Sequence, residues 1–165
     1  GQAGQDIRGF AHDRFDIGAR RLEAVINLHT VGAAGLSDFE KAVALEPTSV
    51  PAWYNLGVVH EGLGELEMAV AAYGQAISFE PENIDALINR ALVYSTLGEY
   101  SSTIADMDHV IEVDPTYAKA YLVRASAHAN LGMAPKFQAD IDRAVALGVD
   151  QAQAESNIAG TTPSP

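Results

Sequence analysis

Cysteine is absent from the 165 residues, which excludes disulfides, thiolate metal sites and cysteine nucleophiles while leaving the redox compartment open. Basic residues are scarce. Ten Lys and Arg stand against 22 Asp and Glu, a formal net charge of −12, so phosphate backbones and anionic lipid surfaces are repelled and nucleic acid is not an expected partner. No apolar run approaches the roughly 20 residues that cross a bilayer. The opening GQAGQDIRGF lacks the basic-then-apolar order of a secretory signal. The expectation is a soluble chain with no direct membrane insertion, either cytoplasmic or a mature chain in an organelle or exported compartment after removal of a targeting segment. Catalytic constellations are also missing: there is no glycine-rich phosphate loop and no serine elbow, and acid pairs such as Glu65/Glu67 and Glu80/Glu82 fall at turns or on solvated faces. The chain is therefore expected not to be an enzyme and to need no cofactor.

What is present is a core-forming composition, 48% hydrophobic with 19% charged, written as a repeat. Gly57, Ala91 and Ala125 follow one another at intervals of 34, as do the Leu-Gly pairs at Leu63, Leu97 and Leu131 and the prolines Pro47, Pro81 and Pro115. Several independent positions sharing one period make a strong signal. Within a unit, WYNLGVVHEGL and LEMAVAAYGQAISF each space apolar residues at helical intervals. Glycine after the first segment and proline after the second mark their ends. The unit is a helix, a tight turn and a second helix, and its small residues at Gly57, Ala69 and Ala76 let backbones approach closely.

This pattern resembles the tetratricopeptide repeat, matched between Val50 and Asn83 by Trp53, Leu56-Gly57, His60, Ala69, Tyr73, Ala76 and Pro81. The next unit matches through Leu87, Ala91, Tyr94, Met107, Val110 and Pro115, with Thr103 where alanine is usual. The third matches through Tyr121, Ala125, His128, Ile141 and Ala144, with Phe137 large where the family is small and Val149 in place of proline. The resemblance implies an all-α fold, a right-handed α-solenoid of antiparallel helix pairs, closed by a short capping helix in DQAQAESNIA with Asp150 at its N-cap. The expected division is an N-terminal extension over 1–14, a degenerate repeat over 15–49 whose second helix is LSDFEKAVALEP, repeats over 50–83, 84–117 and 118–151, and a cap end and tail over 152–165.

Proteins resembling this family hold a partner segment on a concave face made by the first helices. The residues this implies for a partner-binding groove are Tyr54, Asn55, Val58, Ile88, Asn89, Leu92, Lys119 and Leu122. Their mostly apolar character points to an apolar or amphipathic segment of a protein or peptide partner, held by an interaction scaffold within a multiprotein assembly. One alternative is a structural subunit of a larger complex that docks through its convex faces and tails; another fills the groove with the chain's own N-terminal stretch, through Phe10 and Phe15. A third, chaperone docking, is disfavoured. Of the five positions that grip a chaperone's terminal carboxylate in such proteins, Asn89 and Lys119 agree, but Tyr54, Val58 and Val123 replace the rest.

Two polar features recur with the repeat. Arg90 and Arg124 are equivalent, and so are Asp106 and Asp140, whereas the first unit has apolar Leu56 and Ala72 at these places. Paired exchange predicts that each arginine reaches the aspartate of its own unit as a structural staple. His60 and His128 share one position, filled by Tyr94 between them, which points to packing. Units two apart are too distant for both histidines to bind one ion, and His12, His29 and His109 show no ligand spacing, so no metal site is expected.

Overall fold

In a computed structural model the described residues are 35–152 and 154. A helix α1 occupies 35–45. It is followed by α2 (Val50–Gly62), α3 (Leu66–Phe79), α4 (Ile84–Thr96), α5 (Tyr100–Val113), α6 (Ala118–Asn130) and α7 (Ala134–Ala146). Residues 151, 152 and 154 are again helical, and no strand occurs among the described residues. From α2 to α7 each helix packs on the next in chain order, and α4 also meets α6. The pairs are antiparallel and stack as a right-handed α-solenoid. The expected first helix of the degenerate repeat and the expected N-terminal extension fall outside the described residues, as does the end of the expected capping helix.

The Leu-Gly signals work through the backbone. Gly64, Gly98 and Gly132 adopt φ of 78°, 77° and 69°, a left-handed conformation that costs an L-residue roughly 1–2 kcal/mol. Each closes a Schellman motif: Glu65 N–H donates to His60 O, Glu99 N–H to Tyr94 O and Met133 N–H to His128 O, at 2.8–2.9 Å. The third unit uses the same device a second time. Gly148 (φ 94°) ends α7, and Val149 N–H donates to Ala144 O. This is why proline is missing there: the chain turns on glycine, and Val149, 7% exposed, joins Ala154, Tyr121, Ala125 and Ile141 in the last core cluster. Phe137 packs half-buried against that cluster in place of a small residue.

Aromatic residues near the start of the first helices clasp the preceding turn. Trp53 Nε1 donates to Pro47 O at 2.8 Å and Tyr121 Oη to Pro115 O at 3.0 Å; Leu87, which has no donor, is fully buried instead. At the start of α4, Asn83 caps the helix by accepting from Ala86 N–H at 2.9 Å and donates to Glu80 Oε2. Asn83→Ala is expected to cost about 1 kcal/mol, measured by urea denaturation.

Small residues face large ones across each pair. Gly57 lies against the ring of the fully buried Tyr73. In the next unit Ala91 shares a cluster with Met107, and in the third Ala125 with Ile141. The bulk of the second helix therefore falls as the first helix gains a methyl group, which keeps the pair at close-packed separation.

Candidate functional site

The polar staples are built as expected and extended by one residue. Arg90 grips Asp106 with both ends of its fork, Nε to Oδ2 at 2.9 Å and Nη2 to Oδ1 at 2.6 Å. This hydrogen bond is the main reason the Arg90 pKa rises above its ordinary value. Arg124 holds Asp140 in the same way and also donates through Nη1 to Asp108 of the preceding helix pair. Burial works against the Arg124 charge, but its hydrogen bonds to Asp140 and Asp108 outweigh that and push its pKa up. His128 Nδ1 completes the cluster at 2.9 Å from Asp140 Oδ2. Asp108 was not singled out by the sequence, yet the signal was there: it precedes Arg124 by 16 residues, the spacing of each Arg–Asp staple.

The equivalent place beside Arg90 is Gly74, whose missing side chain would point a Cβ to 3.6 Å from Arg90 Nη1. Gly74→Asp should supply the contact that Asp108 makes to Arg124 and remove a glycine from mid-helix. We expect a gain of roughly 0.5–1 kcal/mol in denaturation midpoint analysis.

These groups are structural. His60 Nδ1 likewise bonds Glu65 Oε2 at 2.7 Å across its turn. Among the described residues no group of three or more His, Asp or Glu could hold a metal ion, and no helix is long and apolar enough to cross a membrane.

The expected groove residues lie on α2, α4 and α6. Asn89 Nδ2 donates to Tyr54 Oη at 2.8 Å, which ties α2 to α4 side by side. Tyr54 stacks at a tilt on Tyr73, ring centroids 5.8 Å apart, and Val58 packs against the same cluster. Leu92 and Leu122 rest on the next two clusters. All of these, with Asn55 and Lys119, are half-buried, leaving part of each side chain at the surface of one row of first helices. Ile88 is placed differently. At 4% exposed it belongs to the core with Leu87, Met107 and the fully buried Ala120 of α6.

Profiles of the tetratricopeptide repeat match residues 50–83 and 84–117. Residues 50–117 are tetratricopeptide repeats. A crystal structure of MamA superposes with a TM-score of 0.67 at 22% identity, covering 88% of this chain and 76% of that one. A tetratricopeptide repeat protein from Parabacteroides merdae gives 0.72 at 22% identity, over 84% of this chain and 56% of that one. The first repeat domain of RPAP3, solved bound to the HSP90 peptide SRMEEVD, gives 0.61 at 20% identity over 68% of this chain and 89% of that one. No curated protein matches the sequence. Tetratricopeptide repeats are in general non-catalytic modules of protein–protein interaction.

Proposed function

We propose that this chain is a non-enzymatic scaffold that binds a segment of a partner protein on the concave face of α2, α4 and α6, within a multiprotein assembly. One observation carries the reading: Tyr54, Val58, Leu92 and Leu122 sit half-buried on adjacent first helices, with apolar area left over after the solenoid has packed. An apolar or amphipathic segment fits such a surface, with the Tyr54 hydroxyl and the Asn89 amide as polar markers of register.

Chaperone docking is the weaker reading for this chain despite the RPAP3 likeness. Asn89 and Lys119 match the carboxylate-gripping set, but Tyr54, Val58 and Val123 supply neither of the missing cations nor the second amide. Too few donors remain to offset desolvation of a carboxylate. A structural-subunit reading draws on the second helices, where Met68 and Phe79 are 55% and 44% exposed. On that reading contacts would be lost by Met68→Glu rather than by changes on the first helices. The proposed repeat boundaries place the third unit at 118–151, around α6 and α7.

The test is capture of partners from the native source by the full chain and by Leu92→Gln, with circular dichroism confirming equal fold. Saturable capture that falls at least about tenfold in Leu92→Gln supports the groove. Capture indifferent to Leu92 but sensitive to Met68→Glu would transfer the function to the outer face.

A further inference from the structure

The turns of the solenoid carry carboxylates in register with the repeat. Glu46, Glu80 and Asp114 recur at intervals of 34 where α1, α3 and α5 end, and Glu65 and Glu99 recur 34 apart where α2 and α4 end. Because the helix pairs stack in the same sense, the first row runs along one edge of the first-helix face and the second along the opposite edge. Glu46, Glu65, Glu80 and Glu99 are exposed and Asp114 is half-buried. The face between the rows is apolar at Tyr54, Val58, Leu92 and Leu122, with Glu61 one turn beyond Val58 and Asp85 one turn before Asn89.

Local structure engages part of both rows, since Glu65 meets His60 Nδ1 and Glu80 and Asp114 accept hydrogen bonds from the turns that follow them. Glu65 and Glu99 are the N-caps of α3 and α5, where a negative charge is favoured by the helix dipole. Glu80 and Asp114 are the C-caps of the same helices, where the helix dipole disfavours a carboxylate, while Asn83 Nδ2 donates to Glu80 Oε2 and Thr116 N–H and Oγ1 donate to Asp114 Oδ1. Cations are withheld from the face: Arg90 and Arg124 project from α4 and α6 but are folded back onto Asp106, Asp140 and Asp108. Lys119 is the one base among the groove positions, against Glu61 and Asp85 and within a chain of net charge −12.

Resting on the groove reading above, we infer that the occupant is a cationic amphipathic segment of a partner protein, with apolar side chains on the Tyr54–Leu92–Leu122 floor and Lys or Arg reaching the carboxylate rows on either edge. An acidic tail meets the wrong field, and a purely apolar segment leaves both rows unused. Each exposed ion pair is weak, but three or four held in register give about tenfold in affinity, and the charge of the whole chain speeds encounter.

The probes are two synthetic helical peptides with identical leucine spacing at i, i+3, i+4 and i+7, one with lysine and one with glutamate at the polar positions. They are titrated into the full chain by fluorescence anisotropy at low and high salt. The lysine peptide is expected to bind at least about tenfold tighter, to weaken as salt rises, and to lose several-fold both with Leu92→Gln and with the combined Glu46→Gln, Glu80→Gln, Glu99→Gln variant, which removes three negative charges and introduces no positive one. Equal or tighter binding of the glutamate peptide, or affinity for lysine unmoved by the triple variant, overturns the inference while leaving the groove reading intact. Lysine binding indifferent to Leu92→Gln also overturns it, since the attraction would then be to the acidic chain at large. Failure of both peptides overturns it too; the Leu92-dependent capture of native partners then decides separately whether the groove reading survives.

Discussion

Asp140→Ala is expected to destabilise the C-terminal helix pair by roughly 3–5 kcal/mol, the cost of removing one partner from a buried ion pair. Asp140 is 4% exposed and accepts from Arg124 Nε and Nη2 and lies 2.9 Å from His128 Nδ1. Its loss leaves Arg124 with Asp108 and leaves His128, 5% exposed, facing an apolar methyl group. For a chain of this size the loss corresponds to a fall in Tm of roughly 10 °C. Repeat arrays lose stability locally, so amide exchange should accelerate first in α6 and α7 and later in α2 and α3. Asp108→Ala is the control. Its side chain is 52% exposed, and removing it should cost less than about 1 kcal/mol. If the two variants unfold together, the Asp140 cluster is not the staple described.

The second large effect has an unusual sign. Gly to Ala inside a helix ordinarily stabilises by about 1 kcal/mol, yet Gly57→Ala is expected to destabilise by about 1–3 kcal/mol through overpacking. A Cβ at position 57 would lie 2.6 Å from both Cδ1 and Cε1 of Tyr73. That ring is fully buried and its hydroxyl is held by Glu61 Oε2 at 3.0 Å, so it has little room to withdraw. The next unit supplies the remedy, since Ala91 there faces Met107. Combining Gly57→Ala with Tyr73→Met should therefore recover part of the loss. A double-mutant cycle with urea midpoints should show favourable coupling of about 1 kcal/mol or more, and strict additivity would refute the packing argument.

Both expectations depend on residues whose type was legible before any coordinates. The period of 34 fixed the helix pairs, because glycine, proline and the apolar spacing each encode a local backbone choice that neighbours barely alter. The arginine–aspartate exchange announced the staples, since a buried charge appears only when its partner does. Asp108 was harder: it pairs across repeats, and the first unit offers Gly74 instead, so no covariation between units betrayed it. The proposed groove rests on residues of unequal exposure. Tyr54, Asn55, Val58, Asn89, Leu92, Lys119 and Leu122 have surface to offer, but Ile88 has the same chemical character and almost none.

By itself, then, the sequence determined which segments become helices, where the repeated turns fall and which charges meet within one repeat, because these follow from backbone preferences and from the cost of leaving a charge unpaired. Only the tertiary structure decided how closely neighbouring helices approach. That distance, set by side chains as small as Ala120 and Gly57, separates an apolar residue that joins the core from one that remains on the open face.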